Sequence, residues 1–426
     1  MRNLWTLYVY ELKKICKRKI VWIAVTIMFL MIVFMATGDT FTTMHTVAIG
    51  EETFTVSGLE YQAYRKENAE RLNGQPIDDK LLEEVKAAYQ RIHVTSYEEE
   101  TYGHSSMSSM TAMESIFEDE NPIDREELVK KREQYKEIYQ YVYAVMGDYE
   151  TIHTINETIL YDKRFDKIQN NWTSQKLTEG ERAFWMEREA AIDKPLIYGY
   201  AAGWERILEE FLSLNVILIL TISICLSNTF AEEHLRKTDQ LILCSKYGKK
   251  LHYYAKIAAG VTFGMCCGAL FLAFDILLAL LVYGAGGFDA AVQVYAPICS
   301  WKLTMGQAVF MMGAVYLVAA MFLSIFTMFL SEAINNSVAV MGLMTGGMMV
   351  SLLVGVPYRF RTLSQVYELL PTVLLRVWQL WDNRLVNVLG VYFTNFQIAP
   401  IIYMILSAVL IIWGNYLYKN YQVSGR

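Results

Sequence analysis

Six stretches of this chain are each about as long and as apolar as a helix must be to cross the hydrocarbon core of a bilayer. They run over residues 20–38, 211–230, 254–283, 305–330, 337–356 and 398–418. Proline respects these limits: Pro297, Pro357, Pro371 and Pro400 fall between spans or at their ends, and the other three lie within 39–206. No span interior then loses a helical hydrogen bond to a proline ring. The expected fold is an all-α polytopic membrane protein of six transmembrane helices with a large insertion between the first two. Charge sets the insertion apart. Residues 38–205 hold 33 acidic and 18 basic side chains, whereas the rest of the chain holds 11 and 20.

Orientation follows from lysine and arginine near the span ends, which mark cytoplasmic segments. Arg2, Lys13, Lys14, Lys17, Arg18 and Lys19 precede the first span. Arg236, Lys237, Lys246, Lys249, Lys250 and Lys256 lie between the second and third. Both termini are thereby expected in the cytoplasm and residues 39–206 outside. The loop 357–397 is then also outside, although it carries Arg359, Arg361, Arg376 and Arg384. Leu4, Leu7, Tyr8, Leu12 and Ile15 form an apolar stripe at helical spacing, so residues 1–19 read as an interfacial helix leading into a retained span. Ala36-Thr37-Gly38 only faintly resembles a signal-peptide cleavage site.

Apolar periodicity over 81–92 and 128–145 predicts a mainly helical outer domain, with turns at Asn73-Gly74-Gln75-Pro76 and Glu120-Asn121-Pro122. Ser105–Thr111 reads as an exposed loop. All six cysteines (Cys16, Cys225, Cys244, Cys266, Cys267, Cys299) lie outside the insertion, which argues against a disulfide scaffold. Catalytic groupings are missing: there is no GxxxxGK[ST] loop and no HExxH, and the six histidines lack metal-ligand spacing. Glu98-Glu99-Glu100 and Glu118-Asp119-Glu120 read as solvated turns rather than cation sites.

Within the spans, Gly260, Gly264 and Gly268 form a stripe that permits close helix approach, and Gly342 and Gly346 repeat the spacing. Asp275 lies well inside the third span, where a carboxylate needs a partner or water. It is a pathway candidate or an interhelical polar lock, with Asn215 or Gln307 as the expected partner. Asn215 is the second pathway candidate.

Between spans two and three, Phe230–Leu243 reads as a short amphipathic helix rich in charge, followed by the basic return Lys246-Tyr247-Gly248-Lys249-Lys250. This stretch resembles permease subunits of ABC-2 type ABC transporters, which carry a pattern like F-x-x-E-x-x-x-x-T-D-x-L-I-L-x-S-x-x-G-K. Phe230, Glu233, Thr238, Asp239, Leu241, Ile242, Leu243, Ser245, Gly248 and Lys249 occupy those places. Pro195–Trp204 before span two is similar as well, and the long insertion looks like a subset of such permeases. The resemblance implies that Glu232, Glu233, Arg236, Lys237, Thr238 and Asp239 form a coupling helix that docks on a separate ATP-binding subunit. It also implies a second permease copy or homologue as partner. ATP and magnesium would belong to the ATPase, and this chain would bind no cofactor, metal or nucleic acid of its own. In such permeases, short helices dip in from outside after span five. Leu369–Trp381, apolar and bearing Trp378 and Trp381, reads as such an element.

The expected function is the membrane subunit of an ATP-driven exporter of a peptide, antibiotic or lipid-like substrate, itself no enzyme. The alternative is a membrane sensor whose acidic outer domain binds a ligand and signals to a cytoplasmic partner. ATP-dependent movement of substrate separates the two.

Overall fold

The computed structural model describes residues 2–42, 44–49, 52–89, 122–147, 154–235 and 250–420. It is mostly helical, and five of its helices are long and apolar enough to cross a membrane. The chain opens with α1 (Arg2–Cys16) and α2 (Lys19–Thr42). A hairpin of β1 (Met44–Ile49) and β2 (Glu52–Ser57) follows, paired antiparallel from Met44↔Ser57 to Ile49↔Glu52. The inserted domain continues through α3 (Gly58–Glu70), α4 (Asp79–Tyr89), α5 (Pro122–Met146), α6 (Glu157–Ser174) and α7 (Glu179–Ala190). Next come α8 (Ala202–Leu226), α9 (Asn228–Leu235), α10 (Leu251–Tyr283), α11 (Met305–Ile334) and α12 (Ser337–Leu353). The rest of the described chain holds α13 (Arg361–Glu368), the short hairpin β3 (Val386–Val388) and β4 (Val391–Phe393), α14 (Asn395–Asn420), and single helical turns at Val292–Tyr295, Pro371–Leu374 and Val377–Trp381.

Side-chain patterning explains the bundle. On α2, Val21, Ala24, Met28 and Ile32 are buried in the core, while Ile20, Ile23, Ile27, Leu30 and Phe34 form an exposed stripe on the opposite face. An apolar stripe of that length on a membrane helix is a lipid-facing surface. α8 is the central post, packed against α2, α10, α11 and α12. Within its apolar stretch 72% of residues are buried, against 28% for α2, so α8 is enclosed by protein.

Several boundaries differ from the sequence expectation. The second span begins at Ala202, nine residues before 211, because Glu205, Arg206, Glu209 and Glu210 are helical. Arg206 Nε and Glu210 Oε1, four residues apart, lie 2.6 Å from each other. α14 starts at Asn395, where the Thr394 amide is capped by Gln397, so Pro400 falls inside the helix rather than at its end. The fifth apolar stretch forms a helix of 17 residues, since the chain turns extended at Val354. Its start is sharply set: Asn335 ends α11 in the left-handed region (φ 57°), and Asn336 caps α12 by accepting from the Val338 and Ala339 amides.

The described part of the inserted domain is mainly helical, as its periodicity predicts. Leu81, Leu82 and Val85 of α4 pack with Tyr135, Ile138 and Val142 of α5 in one core. Gly74 (φ +80°) sits in the turn preceding α4. Ser105–Thr111 and the acidic triplets at 98–100 and 118–120 lie outside the described residues.

The domain is also bonded to the segment after α12. Trp185 Nε1 donates to the Asn383 carbonyl, Asn171 Nδ2 to the Trp381 carbonyl (3.0 Å), and the Leu385 amide to Glu181 Oε1 (2.8 Å). Three of the four arginines of this segment have hydrogen-bond or ion-pair partners within the protein. Arg384, 1% exposed, lies between Glu368 and Asp382, and Arg361 pairs with Glu181. Arg376 donates to the Ser351 and Leu352 carbonyls at the end of α12. A guanidinium buried this deeply has to be matched by carboxylates or carbonyls.

Candidate functional site: a charged junction, a buried carboxyl pair and a polar cavity

At one end of the bundle, three elements meet through their charges. On α1, Glu11 and Lys14 are three residues apart and share a face, and Arg18 follows in the turn beyond. Glu232 and Glu233 lie on α9, and His252 and Lys256 lie one turn apart on α10. Lys14 Nζ is 2.8 Å from Glu233 Oε1, and Lys256 Nζ is 2.5 Å from Glu233 Oε2. Arg18 Nη2 lies 2.7 Å from Glu232 Oε2. Lys256 is fully buried; it also donates to the Thr229 carbonyl (3.0 Å) and sits 4.6 Å above the Phe230 ring. Burial works against the Lys14 ammonium, but Glu233 overcomes it and holds the Lys14 pKa above the ordinary lysine value.

Glu233 therefore faces inward as the hub that clamps α9 to α1 and α10. Glu232 is partly exposed and pairs with Arg18. Arg236, Lys237, Thr238 and Asp239, the rest of the expected coupling stretch, lie outside the described residues. Glu11 and His252 belong to the junction too and escaped the sequence reading. Their ligand atoms and those of Glu233 fall within 4.8 Å of one another. This trio has the donor types of a metal site, but Lys256 already holds Glu233 Oε2, so the arrangement reads as an ion-pair network. Charged residues at i, i+3 and i, i+4 on α1 and α10 were the available signal.

The glycine stripe of α10 meets α11. A methyl on Gly260 would strike Met328 Sδ, one on Gly264 would strike Ser324 Oγ, and one on Gly268 would come 3.3 Å from Ala320 Cβ. These three glycines thus let two helices of one chain touch. Among the described residues, a methyl on Gly342 or Gly346 would meet nothing within 4 Å.

Asp275 is 1% exposed, and its partner is neither Asn215 nor Gln307. Its carboxyl lies against that of Glu210 on α8, and Arg206 holds the far side of Glu210. Gln307 instead closes a capping box with Thr304 at the start of α11. Asn215 is wholly buried, and among the described residues neither atom of its amide has a hydrogen-bond partner. Glu210 and Arg206, four residues apart, are the participants that sequence reasoning missed.

Above this pair, at the end of the bundle that carries the inserted domain, lies a cavity of about 370 Å³ between α2, α3, α5, α8 and the end of α10. Its cations are all engaged. Arg65 Nη2 lies 2.5 Å from Glu137, Lys136 Nζ donates to Tyr61 Oη (3.0 Å), and Arg206 holds Glu210 and the Met35 carbonyl. Glu137 outweighs the effect of burial and raises the Arg65 pKa. Glu205 also lines the cavity, and among the described residues no hydrogen bond or ion pair reaches its carboxylate.

No protein-family model and no curated protein matches this sequence. Fold and site together define a helical membrane protein with a charged junction at one end and a polar cavity at the other.

Proposed function

We propose that the chain is the membrane-spanning permease subunit of an ATP-driven transporter of the ABC-2 type. It would export a peptide, antibiotic or lipid-like substrate, with ATP hydrolysed on a separate subunit. The observation that carries this reading is the junction of Glu233 with Lys14 and Lys256. A segment that docks on an ATPase can move the spans only if it is fastened to them, and α9 is fastened by buried charge to both the interfacial helix and the third span.

A six-span topology is part of the proposal. Ser331, near the end of α11, binds the Ser227 carbonyl beside the junction, while Ser351, near the end of α12, binds Thr372 at the opposite end. α12 thus runs from one end of the bundle to the other, about 26 Å at 1.5 Å per residue. That supports a sixth crossing. The bonds between the inserted domain and residues 361–385 support a shared, non-cytoplasmic side for both, with the termini and junction in the cytoplasm of a bacterial cell. The open face at Gly342 and Gly346 suits close approach by a second permease.

The test is purification of the tagged chain from native membranes, followed by reconstitution. A P-loop ATPase should copurify in stoichiometric amount, and Asp239→Arg should release it while leaving the permease folded. Glu233→Arg is a poorer probe, because it would place a third cation against Lys14 and Lys256. Absence of any ATP-binding partner, or full ATP-driven transport by Asp239→Arg, overturns the reading.

A further inference from the structure

We infer that the cavity between the inserted domain and the bundle is a binding site for a primary ammonium or guanidinium group, with Glu205 as its counter-ion. Three cations stand at this site, Arg65, Lys136 and Arg206, and each is committed to a partner within the protein. Four carboxylates face them: Glu137, Glu205, Glu209 and Glu210. Glu137 and Glu210 are consumed by Arg65 and Arg206. Glu209 stands 3.9 Å from Arg206 at the exposed rim. Glu205 alone lines the cavity with no hydrogen bond or ion pair among the described residues. Among the described residues here the carboxylates thus outnumber the cations by one, and Glu205, on the cavity wall, has only the charge of Arg65 acting on it from beyond ion-pair distance. A partly buried carboxylate is worth most to a ligand that both neutralises it and donates hydrogen bonds to it, which an ammonium or guanidinium does.

The rest of the wall fits that ligand. Tyr61 and Tyr283 bring aromatic rings, and Gln62 and Gln140 bring amides. Tyr283 is fixed by its hydrogen bond with Thr40 Oγ1 (2.8 Å). The volume falls at the lower end of the range of about 300–1,000 Å³ seen for small-molecule pockets. It suits one charged side chain and its flanking atoms rather than a whole folded partner. An anionic ligand is disfavoured because two of the three cations, Arg65 and Arg206, would have to be taken from Glu137 and Glu210, both buried. The inference concerns binding alone and stands apart from the transport reading.

The probe is a dansylated Lys-Lys dipeptide amide, titrated by fluorescence anisotropy onto the full chain in nanodiscs of phosphatidylcholine and phosphatidylglycerol. Saturable binding is expected. It should weaken tenfold or more with Glu205→Gln and be absent for the Nle-Nle and Glu-Glu counterparts. A second readout guards against misfolding of that variant. Gln140→Cys, on the exposed side of the wall, should be labelled by a hydrophilic maleimide above the wild-type background and be protected by the Lys-Lys probe. Adding phosphatidylethanolamine to the nanodiscs identifies the source. Competition names a lipid headgroup as occupant, and its absence leaves a soluble amine, the ammonium chemistry holding in both cases. Equal binding of the Nle-Nle probe, or unchanged affinity in a folded Glu205→Gln together with no protection at position 140, overturns the inference.

Discussion

Replacing Glu233 by glutamine distinguishes a junction held by charge from one held by packing. The Lys256 ammonium is fully buried and 2.5 Å from the Glu233 carboxylate. Without that carboxylate its direct contacts are the Thr229 carbonyl and the face of Phe230. Stripping a buried charge of its partner costs about 3–5 kcal/mol. Lys14, with 30% of its side chain exposed, can turn to water for about 0–1 kcal/mol. Glu11, across His252, offsets part of the loss, so the expected cost is about 3 kcal/mol. Lys256→Met should cost less, because Glu233 retains Lys14. In the double variant no orphaned ammonium remains, and its loss should fall at least ~2 kcal/mol short of the sum of the singles. Reversible unfolding in mixed micelles, titrated with sodium dodecyl sulfate, measures all four proteins. Additivity within about 0.5 kcal/mol would refute the assignment of Glu233 as the hub.

Gly264→Val forces a side chain into Ser324 and should destabilise the bundle by about 1–3 kcal/mol, whereas Gly342→Val meets open space and should be near neutral by thermal unfolding. Equal losses would show that α10 and α11 do not touch as described. Arg384→Met leaves Glu368 and Asp382 buried and unpaired, so about 3–5 kcal/mol of local stability should be lost and limited proteolysis should cut the segment after α12. An unchanged digestion pattern would contradict this. The Lys14 pKa is raised in the fold, so its ion pair contributes fully at neutral pH and fades only as the pH climbs past the ordinary lysine value. The difference in melting temperature between wild type and Lys14→Met should therefore hold steady from pH 7 to 9 and shrink by pH 11.

Much of the fold is legible from apolar length alone. α2, α10, α11 and α14 contain their expected spans because a run of some twenty apolar residues has few other places to go. What sequence missed has a common cause. Ala202–Glu210 looks too polar for a membrane helix, yet Arg206 and Glu210 neutralise each other four residues apart, and Glu205 borders a cavity. Arg361 and Arg384 of the segment after α12 run against the charge rule until Glu181, Glu368 and Asp382, distant or unremarkable in sequence, are brought beside them. Asp275 stands out in the sequence as a lone carboxylate within a span, but its partner depends on the facing of α8 and α10, which periodicity does not register. The hub role of Glu233 was hidden for the same reason: its counter-ions come from segments more than 200 residues before it and more than 20 after it.

α8 starts at the cavity and ends at the turn before α9 without a break, 25 residues or about 38 Å of continuous helix. It is sheathed by protein along most of its length, so it behaves as a shaft in a bearing. A tilt of about 5° about one end of such a rod carries the other end roughly 3 Å, more than the length of a salt-bridge contact. A tilt driven by an occupant of the cavity at Glu205 would therefore reach the turn that leads into α9, the helix that carries Glu233. Coupling between the two ends would then need one stiff helix and no chain of side chains.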